Sequence, residues 1–360
     1  MVHCWSGNSN VGWYPWLQKH LENNGVEVVA LNMPNPDTPS IDEWVDTLSS
    51  SISILDEETY FVGHSIGCQT ILRYLEKQEL TNIGGILFVT PWFSLLPERM
   101  DEESNIIASP WIETPIDMEK VKQFTNSKYA IFSTDDFYVS IEQATEFYKK
   151  LGFCCHFVEN MGHMSFEDGI ECVPEILLMC GKMLGFELLD EVDASGHPTG
   201  RVLDKEMMHD RGILHREVAL FLINSKHEVL MERRSPNKRF NPNCWGLIAG
   251  HVDAFESINS AMLRELKEEV GLEATFDDLL LFDCILHQSS NRNSCLSYEY
   301  FMRCDKNIED FVIQVEELSE VKWVPFEEFK EKSLREDETY TFRATKENIE
   351  KLEKLERLVY

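Results

Sequence analysis

Short apolar runs alternate with helical patterns through the first half of the chain, and the rhythm changes near residue 185. Val26–Leu31, Thr59–Val62, Gly85–Val89, Tyr129–Phe132 and Cys154–Val158 have the length and composition of buried strands. Between them lie helical segments. Ser40 with Glu43 three residues on has the form of a capping box, and Ile41, Trp44, Val45, Leu48 and Ile52 then recur at helical spacing. Cys68–Lys77 also reads as a helix. Strand–helix alternation of this kind predicts an α/β fold, a mostly parallel sheet with helices on both faces.

The second half opens where Leu184–Leu189 leads into a polar, turn-rich stretch, Asp190 to Gly200. Two strand-like runs follow, Val218–Ile223 and Val229–Glu232, separated by the polar turn Asn224–Glu228. A helix is expected at about 257–270, a strand at Ser297–Arg303 and a charged helix at about 345–358. This pattern places two domains at 1–185 and 186–360, with no internal repeat. No apolar run reaches the roughly 18 residues that a membrane span needs.

Charge narrows the partners. The 360 residues contain 33 Lys+Arg against 63 Asp+Glu, a net charge of −30, and the acidity is shared by both halves. Such a surface repels nucleic-acid polymers and anionic lipid. A phosphate-bearing substrate would need metal ions or a local basic pocket. Ten cysteines are scattered without a C-x-x-C pair, which points to reduced thiols in a cytoplasmic protein rather than a disulfide scaffold or a zinc site. The N-terminus lacks the features of a signal peptide. The oligomeric state is not readable from the sequence.

The most specific motif lies in the second half. Gly250 is followed by five residues and Glu256; seven residues later come Arg264-Glu265-Leu266-Lys267-Glu268-Glu269-Val270-Gly271-Leu272. On a helix, Glu265, Glu268 and Glu269 sit at i, i+3 and i+4 and share one face, while Met262, Leu266 and Val270 form a neighbouring apolar stripe. Three like charges on one face repel, and Mg²⁺ or Mn²⁺ relieves that repulsion because hard cations prefer carboxylate oxygen. This segment satisfies G-x5-E-x7-R-E-U-x-E-E-x-G-U, U being a bulky aliphatic. It resembles the Nudix box of the MutT-like pyrophosphohydrolases.

The resemblance implies an α/β/α sandwich that hydrolyses a nucleoside diphosphate linked to another group X. It assigns Gly250, Glu265, Glu268 and Glu269 to metal binding, Glu265 also to a base role, and Glu256 and Arg264 to support. A further acid usually comes from outside the box; Glu316, Glu317 and Glu320 are candidates. Arg233, Arg234, Lys238 and Arg239, just before the box, are candidates for holding phosphate oxygens. The stretch from Glu187 to Arg216, with Gly212-Ile213-Leu214-His215-Arg216, resembles the Nudix branch that includes isopentenyl diphosphate isomerase. Those isomerases use a Cys just before a Gly-His pair and degrade the box. Here Ala249 precedes Gly250-His251, Cys244 has a different setting and the box is intact, so hydrolysis is expected and isomerisation is the alternative.

In the first half, Gly63-His64-Ser65-Ile66-Gly67 fits G-x-S-x-G between an apolar run and a helix, the context of a serine raised on a sharp turn. Asp135-Asp136 follows the strand-like run Tyr129–Phe132, and His163 follows Cys154–Val158, giving the chain order Ser…Asp…His. With Gly12-Trp13-Tyr14, Asn32-Met33-Pro34, Arg73-Tyr74 and Gly162-His163, residues 1 to about 183 resemble the small serine hydrolases of the retinoblastoma-binding protein 9 type. That resemblance implies a triad of Ser65, Asp136 and His163 and a small ester, thioester or amide substrate. It implies an oxyanion hole from the backbone N–H groups of Ile66 and Trp5. Met1 stands almost at His3-Cys4-Trp5, so either a short first strand or a misassigned start site is expected. The alternative is a hydrolase scaffold without activity that docks a partner.

Overall fold

Tyr60–His64 (β1) and Gly85–Val89 (β2) are buried along nearly their whole length, as strands covered on both faces must be. With Lys128–Ser133 (β3) and Cys154–Val158 (β4) they form a parallel sheet in the order β1-β2-β3-β4. The computed structural model describes residues 1–238, 241–288, 294–335, 337–341 and 346–359. It divides into two compact units, Met1–Glu187 and Leu188–Tyr360. In the first, helices α1 (Tyr14–Asn23), α2 (Ile41–Ser51), α3 (Ile66–Lys77), α4 (Glu102–Glu113), α5 (Met118–Val121), α6 (Gln143–Leu151) and α7 (Pro174–Leu184) surround the sheet. α1 packs with α7, and α2, α3, α5 and α6 form a second group. Trp44, Phe88, Trp92, Trp111, Phe132 and Phe147 supply the bulk of the core between sheet and helices.

The second unit begins with a hairpin, β5 (Leu188–Val192) and β6 (Pro198–Asp204), and a short helix α8 (Lys205–Arg211). Its main sheet contains β7 (Leu214–Ile223), β8 (Glu228–Arg234), β11 (Leu280–Gln288), β12 (Ser294–Arg303) and β13 (Leu318–Pro325), in the order β11-β12-β7-β8-β13. The short strands β9 (Trp245–Gly246) and β10 (Ile248–His251) add to β8 and β7. Side chains of β7 alternate between two cores. Val218, Leu220 and Leu222 meet Met262, Leu266 and Val270 of α9 (Ile258–Val270). Phe221 and Ile223 meet Phe326 and Phe329 of α10 (Phe326–Leu334) and Ile349 and Leu352 of α11 (Lys346–Val359). The result is a mixed sheet with helices on both faces. No helix among the described residues is long and apolar enough to cross a membrane.

Two local expectations differ from the structure. Val26–Leu31 is not a strand; only Leu31 bridges, to Val2, which in turn bridges Gly63. The segment runs half open to solvent instead of being covered on both faces, with Val29 50% exposed. The helix after Ser40 begins where expected, but Ser40 makes no side-chain cap; Glu43 instead accepts from Asn35 Nδ2 at 3.1 Å. The polar, turn-rich stretch 190–200 contains most of the β5–β6 hairpin. Its turn is held by Asp193 Oδ1, which accepts from the amides of Ser195 and His197.

Candidate active sites

The carboxyl ends of the four parallel strands lie at one edge of the first unit, where ligand sites of parallel α/β sheets form. Ser65 occupies the turn from β1 into α3 at φ 54°, ψ −117°. A positive φ at a non-glycine residue is strained, and strain of this kind gathers at functional sites. Gly67 permits the turn, because a Cβ there would collide with the carbonyl oxygen of Val2. His163 Nε2 lies 2.8 Å from Ser65 Oγ, and His163 Nδ1 lies 2.8 Å from Asp136 Oδ2. Asp136 Oδ1 accepts from the amides of Tyr138 (2.9 Å) and Val139 (3.0 Å). An ionised Asp136 can only accept, so Nδ1 of a neutral His163 carries the proton and Nε2 presents its lone pair to the serine.

Asp135 has a different task from Asp136. Its Oδ1 accepts from Ser133 Oγ (2.7 Å) and the Gly162 amide (2.9 Å), and Ser133 Oγ accepts from the Met161 amide (3.0 Å). It thereby ties the loop that carries His163 to the end of β3. Those bonds, Ser133's first, hold its carboxyl below the usual range. Behind the triad, buried His64 donates from Nε2 to the His163 carbonyl (2.9 Å), so its Nδ1 accepts from Tyr14 Oη (2.6 Å). Burial, then the charge of His163, pushes the His64 imidazole down to about 3. Ile66 opens α3, where an amide has no intrahelical acceptor. Trp5 follows Cys4 in the loop after Val2, its indole donating to the Asp37 carbonyl at 3.0 Å.

In the second unit, α9 is capped by Ser257, whose Oγ accepts from the Ser260 amide, and ends at Gly271 in the left-handed region. Arg264 is the hub of the acidic face. It reaches both Glu256 oxygens (3.2 and 3.0 Å), Glu265 Oε1 (2.7 Å), Glu268 Oε2 (3.2 Å) and the His251 carbonyl (2.9 Å). Burial opposes its charge, but the Glu256 bonds and the surrounding carboxylates outweigh it and raise its pKa. Gly250 lies in β10 directly against Glu265; a Cβ there would overlap the Glu265 carboxylate. Burial raises the pKa of Glu265. Glu269 is buried and accepts from the Ala249 amide at 3.3 Å, whereas Glu268 projects to solvent.

A family model for serine hydrolases matches residues 1–180, half of the chain. The chain belongs to the serine hydrolase family. A second model, the NUDIX domain, matches residues 213–344, so the protein is a fusion of two hydrolase domains. The YdeN protein of Bacillus subtilis is 32% identical over 177 residues, 48% of this chain and 89% of its own length. An isopentenyl-diphosphate Delta-isomerase of Photorhabdus laumondii is 29% identical over 143 residues (38% of this chain, 77% of its own). A prenyl-diphosphate phosphatase of Methanosarcina mazei is 27% identical over 166 residues (46% and 94%).

The Nudix domain holds acidic and imidazole groups that the motif alone does not reveal. Glu232 of β8 is 2% exposed and electrostatically coupled to Glu269, with its Oε2 lacking a partner. Burial raises the pKa of Glu232, and burial beside Glu232 and Glu265 raises that of Glu269. One proton shared between the two relieves the repulsion. The sequence signal was an acidic residue at an inward position of a strand. Glu317 is instead ion-paired to Lys238 and Glu320 lies 3.7 Å from Arg233, while Glu316 is exposed. Arg233 also donates to the Asn243 carbonyl at 3.2 Å and stacks near Trp245. The neighbouring charge of Arg234 acts on Glu232. Arg239 lies outside the described residues.

His209, His215, Glu217 and His251 place one ligand atom each within 4.8 Å of one another. His215 and Glu217 alternate on β7, so both point to one face. His251 follows Gly250 on the neighbouring strand β10, and His209 comes from α8. Burial and then the neighbouring imidazoles push His209 down to about 4, which keeps its lone pair available. This is a donor set of the kind that suits a transition metal, in contrast to the all-carboxylate set of α9. The buried ion pair of Arg216 and Asp190 (2.8 Å), with Asp190 also accepting from the Phe255 amide (3.0 Å), docks the β5 hairpin onto the loop bearing Glu256.

Proposed function

We propose that the protein is a two-domain hydrolase in which Ser65, His163 and Asp136 cleave a small ester, thioester or amide and the Nudix domain cleaves a diphosphate. The observation that carries the first activity is the unbroken chain of two 2.8 Å contacts from Ser65 Oγ through His163 to Asp136. His163 Nε2 takes the Ser65 proton as Oγ attacks the carbonyl carbon, and Asp136 stabilises the imidazolium that forms. The amides of Ile66 and Trp5 are assigned to the developing oxyanion. His163 then protonates the leaving group, and a water repeats the sequence to release the acid.

For the Nudix domain, the all-oxygen donor set and the orphaned buried Oε2 of Glu232 fit a hard divalent cation. The Gly250 carbonyl, Glu265, Glu268 and Glu269 are assigned to hold Mg²⁺ or Mn²⁺, with Glu232 as the acid from outside the box. A divalent cation held by these residues would offset the diphosphate charge and make a water more acidic. Glu265 receives the proton of the attacking water, and Arg264 with Glu256 fixes its carboxylate. Arg233, Arg234 and Lys238 are assigned to phosphate oxygens, and Arg239 adjoins them in the chain. The substrate class is a nucleoside diphosphate linked to X. The relatives named for isopentenyl and prenyl diphosphates put isoprenoid diphosphates beside it. The fusion fits a substrate that carries both an acyl and a diphosphate group. Ten free thiols suit a reducing, cytoplasmic location.

Two experiments decide. A fluorophosphonate should label the wild type and spare Ser65→Ala; an unlabelled wild type favours a docking scaffold in the first domain. Diphosphate cleavage with Mg²⁺, read as AMP plus ribose 5-phosphate from ADP-ribose and as monophosphate plus inorganic phosphate from isoprenyl diphosphates, should fall by roughly tenfold or more in Glu268→Gln and Glu269→Gln. Isomerised isopentenyl diphosphate with no phosphate release would overturn the hydrolase assignment.

A further inference from the structure

Three of the four strand ends of the first sheet carry the triad; the fourth, that of β2, carries Thr90-Pro91-Trp92. Trp92 is 1% exposed, and its Nε1–H donates to Ser65 Oγ at 3.2 Å. The position is built. Thr90, fully buried and β-branched, sits at φ 44°, a conformation that costs free energy and persists only where the surroundings impose it. Its amide is held by the Ile131 carbonyl at 2.8 Å. The Trp92 carbonyl accepts from Gln69 Nε2 (2.6 Å), on the first turns of α3. The amides of Phe93 (2.8 Å) and Ser94 (3.4 Å) both donate to Gln143 Oε1 from α6, and Gln143 Nε2 donates to Ser94 Oγ (2.9 Å). Two buried glutamines from separate helices therefore fix the segment that aims the indole at the nucleophile.

We propose that Trp92 is a further catalytic residue, a fixed neutral donor to Ser65 Oγ that assists departure of the serine oxygen in deacylation. This rests on the hydrolase reading of Ser65. In the free enzyme the hydroxyl proton points to His163 Nε2 and the indole occupies one Oγ lone pair, leaving the other for the carbonyl carbon. On acylation the Oγ–C bond forms, the hydroxyl proton passes to Nε2, and the leaving group departs with that proton. Oγ is then an ester oxygen, a weak acceptor. In deacylation the water oxygen bonds to the acyl carbon, its proton moves to Nε2, and the C–Oγ bond breaks as Oγ recovers a proton from Nε2. Charge returns to Oγ in that step, and hydrogen bonds to a charged oxygen are the stronger ones. The indole keeps its own proton throughout.

The test separates the N–H from the ring. Trp92→Phe removes the donor, and β-(3-benzothienyl)alanine incorporated at position 92 replaces N–H by sulfur in a ring of nearly the same shape. Stopped-flow hydrolysis of p-nitrophenyl butyrate resolves acylation from deacylation. Both variants should deacylate about tenfold slower with a smaller change in acylation, so that a burst appears and the butyryl-enzyme is visible by intact mass. If Trp92→Phe misfolds, the isosteric variant decides alone. Deacylation within twofold of wild type in the isostere overturns the assignment while leaving the triad intact. A wild type that takes no fluorophosphonate at Ser65 overturns the hydrolase reading, and this assignment with it.

Discussion

Single side chains in this protein are constrained by what stands next to them, and the constraints give sharp expectations. Asp136 fixes the His163 tautomer through one oxygen while two amides fix the other. Asp136→Asn leaves the shape intact but offers an amide where an acceptor is needed. Ester turnover should fall by ~10⁴-fold with little change in melting temperature, as steady-state kinetics beside a thermal melt will show. Gly250 has Glu265 where a Cβ would stand. Gly250→Ala should displace that carboxylate and weaken Mn²⁺ binding measured by calorimetry, while fluorophosphonate labelling of Ser65 stays unchanged. Glu232→Gln removes a buried carboxylate from beside Glu269 and is expected to weaken Mn²⁺ binding roughly tenfold; unchanged binding removes Glu232 from the metal set. Triad and box were both legible as residues in the sequence. Trp92, Glu232 and the His209–His215–His251 group were not, because each is brought to its neighbours only by the packing of separate elements.

At the scale of elements, amphipathic period was the reliable signal and hydrogen-bonding detail the unreliable one. The stripe Met262, Leu266, Val270 is fully buried against β7 and β10. Ser40 and Glu43 have the spacing of a capping box, yet Glu43 is taken by Asn35, a competitor in the preceding loop that spacing along a helix does not register. The last helix shows a second kind of constraint. Glu299 of β12 is fully buried under α11, hydrogen-bonded to Asn348, with Asp283 of β11 and Lys351 of α11 nearby. Burial pushes Glu299 up to about 7 from an ordinary 4.5. The folded state therefore binds the extra proton between those pH values, and stability falls as pH rises from about 4.5 to about 7. The full contribution is on the order of 3 kcal/mol. Glu299→Gln imitates the protonated acid, so thermal melts from pH 5 to 8 should show it stabilised most at the alkaline end. A parallel pH dependence in both proteins sinks this assignment.

For the whole molecule, the change of rhythm near residue 185 and the division of the structure at Glu187/Leu188 suggest that each half carries its own core. Residues 1–187 and 188–360, produced separately, are expected each to melt cooperatively, the first labelling with fluorophosphonate and the second cleaving a diphosphate with Mg²⁺. A half that stays unfolded by circular dichroism refutes independent folding, and halves with no common substrate weaken the idea of linked chemistry. What the chain determined by itself was whatever is contiguous. Helical period, the strand–turn–helix around Ser65 and the carboxylate face of α9 each depend on residues within a few turns of one another. What only the tertiary structure decided was convergence. Ser65 meets His163 across 98 residues, Trp92 reaches Ser65 from the loop after the next strand, and Glu232 of β8 meets Glu269 of the helix packed on that sheet. These contacts depend on which strands are neighbours and which way their pleats face, and that is settled by burying the apolar faces of the whole sheet together rather than by any local spacing.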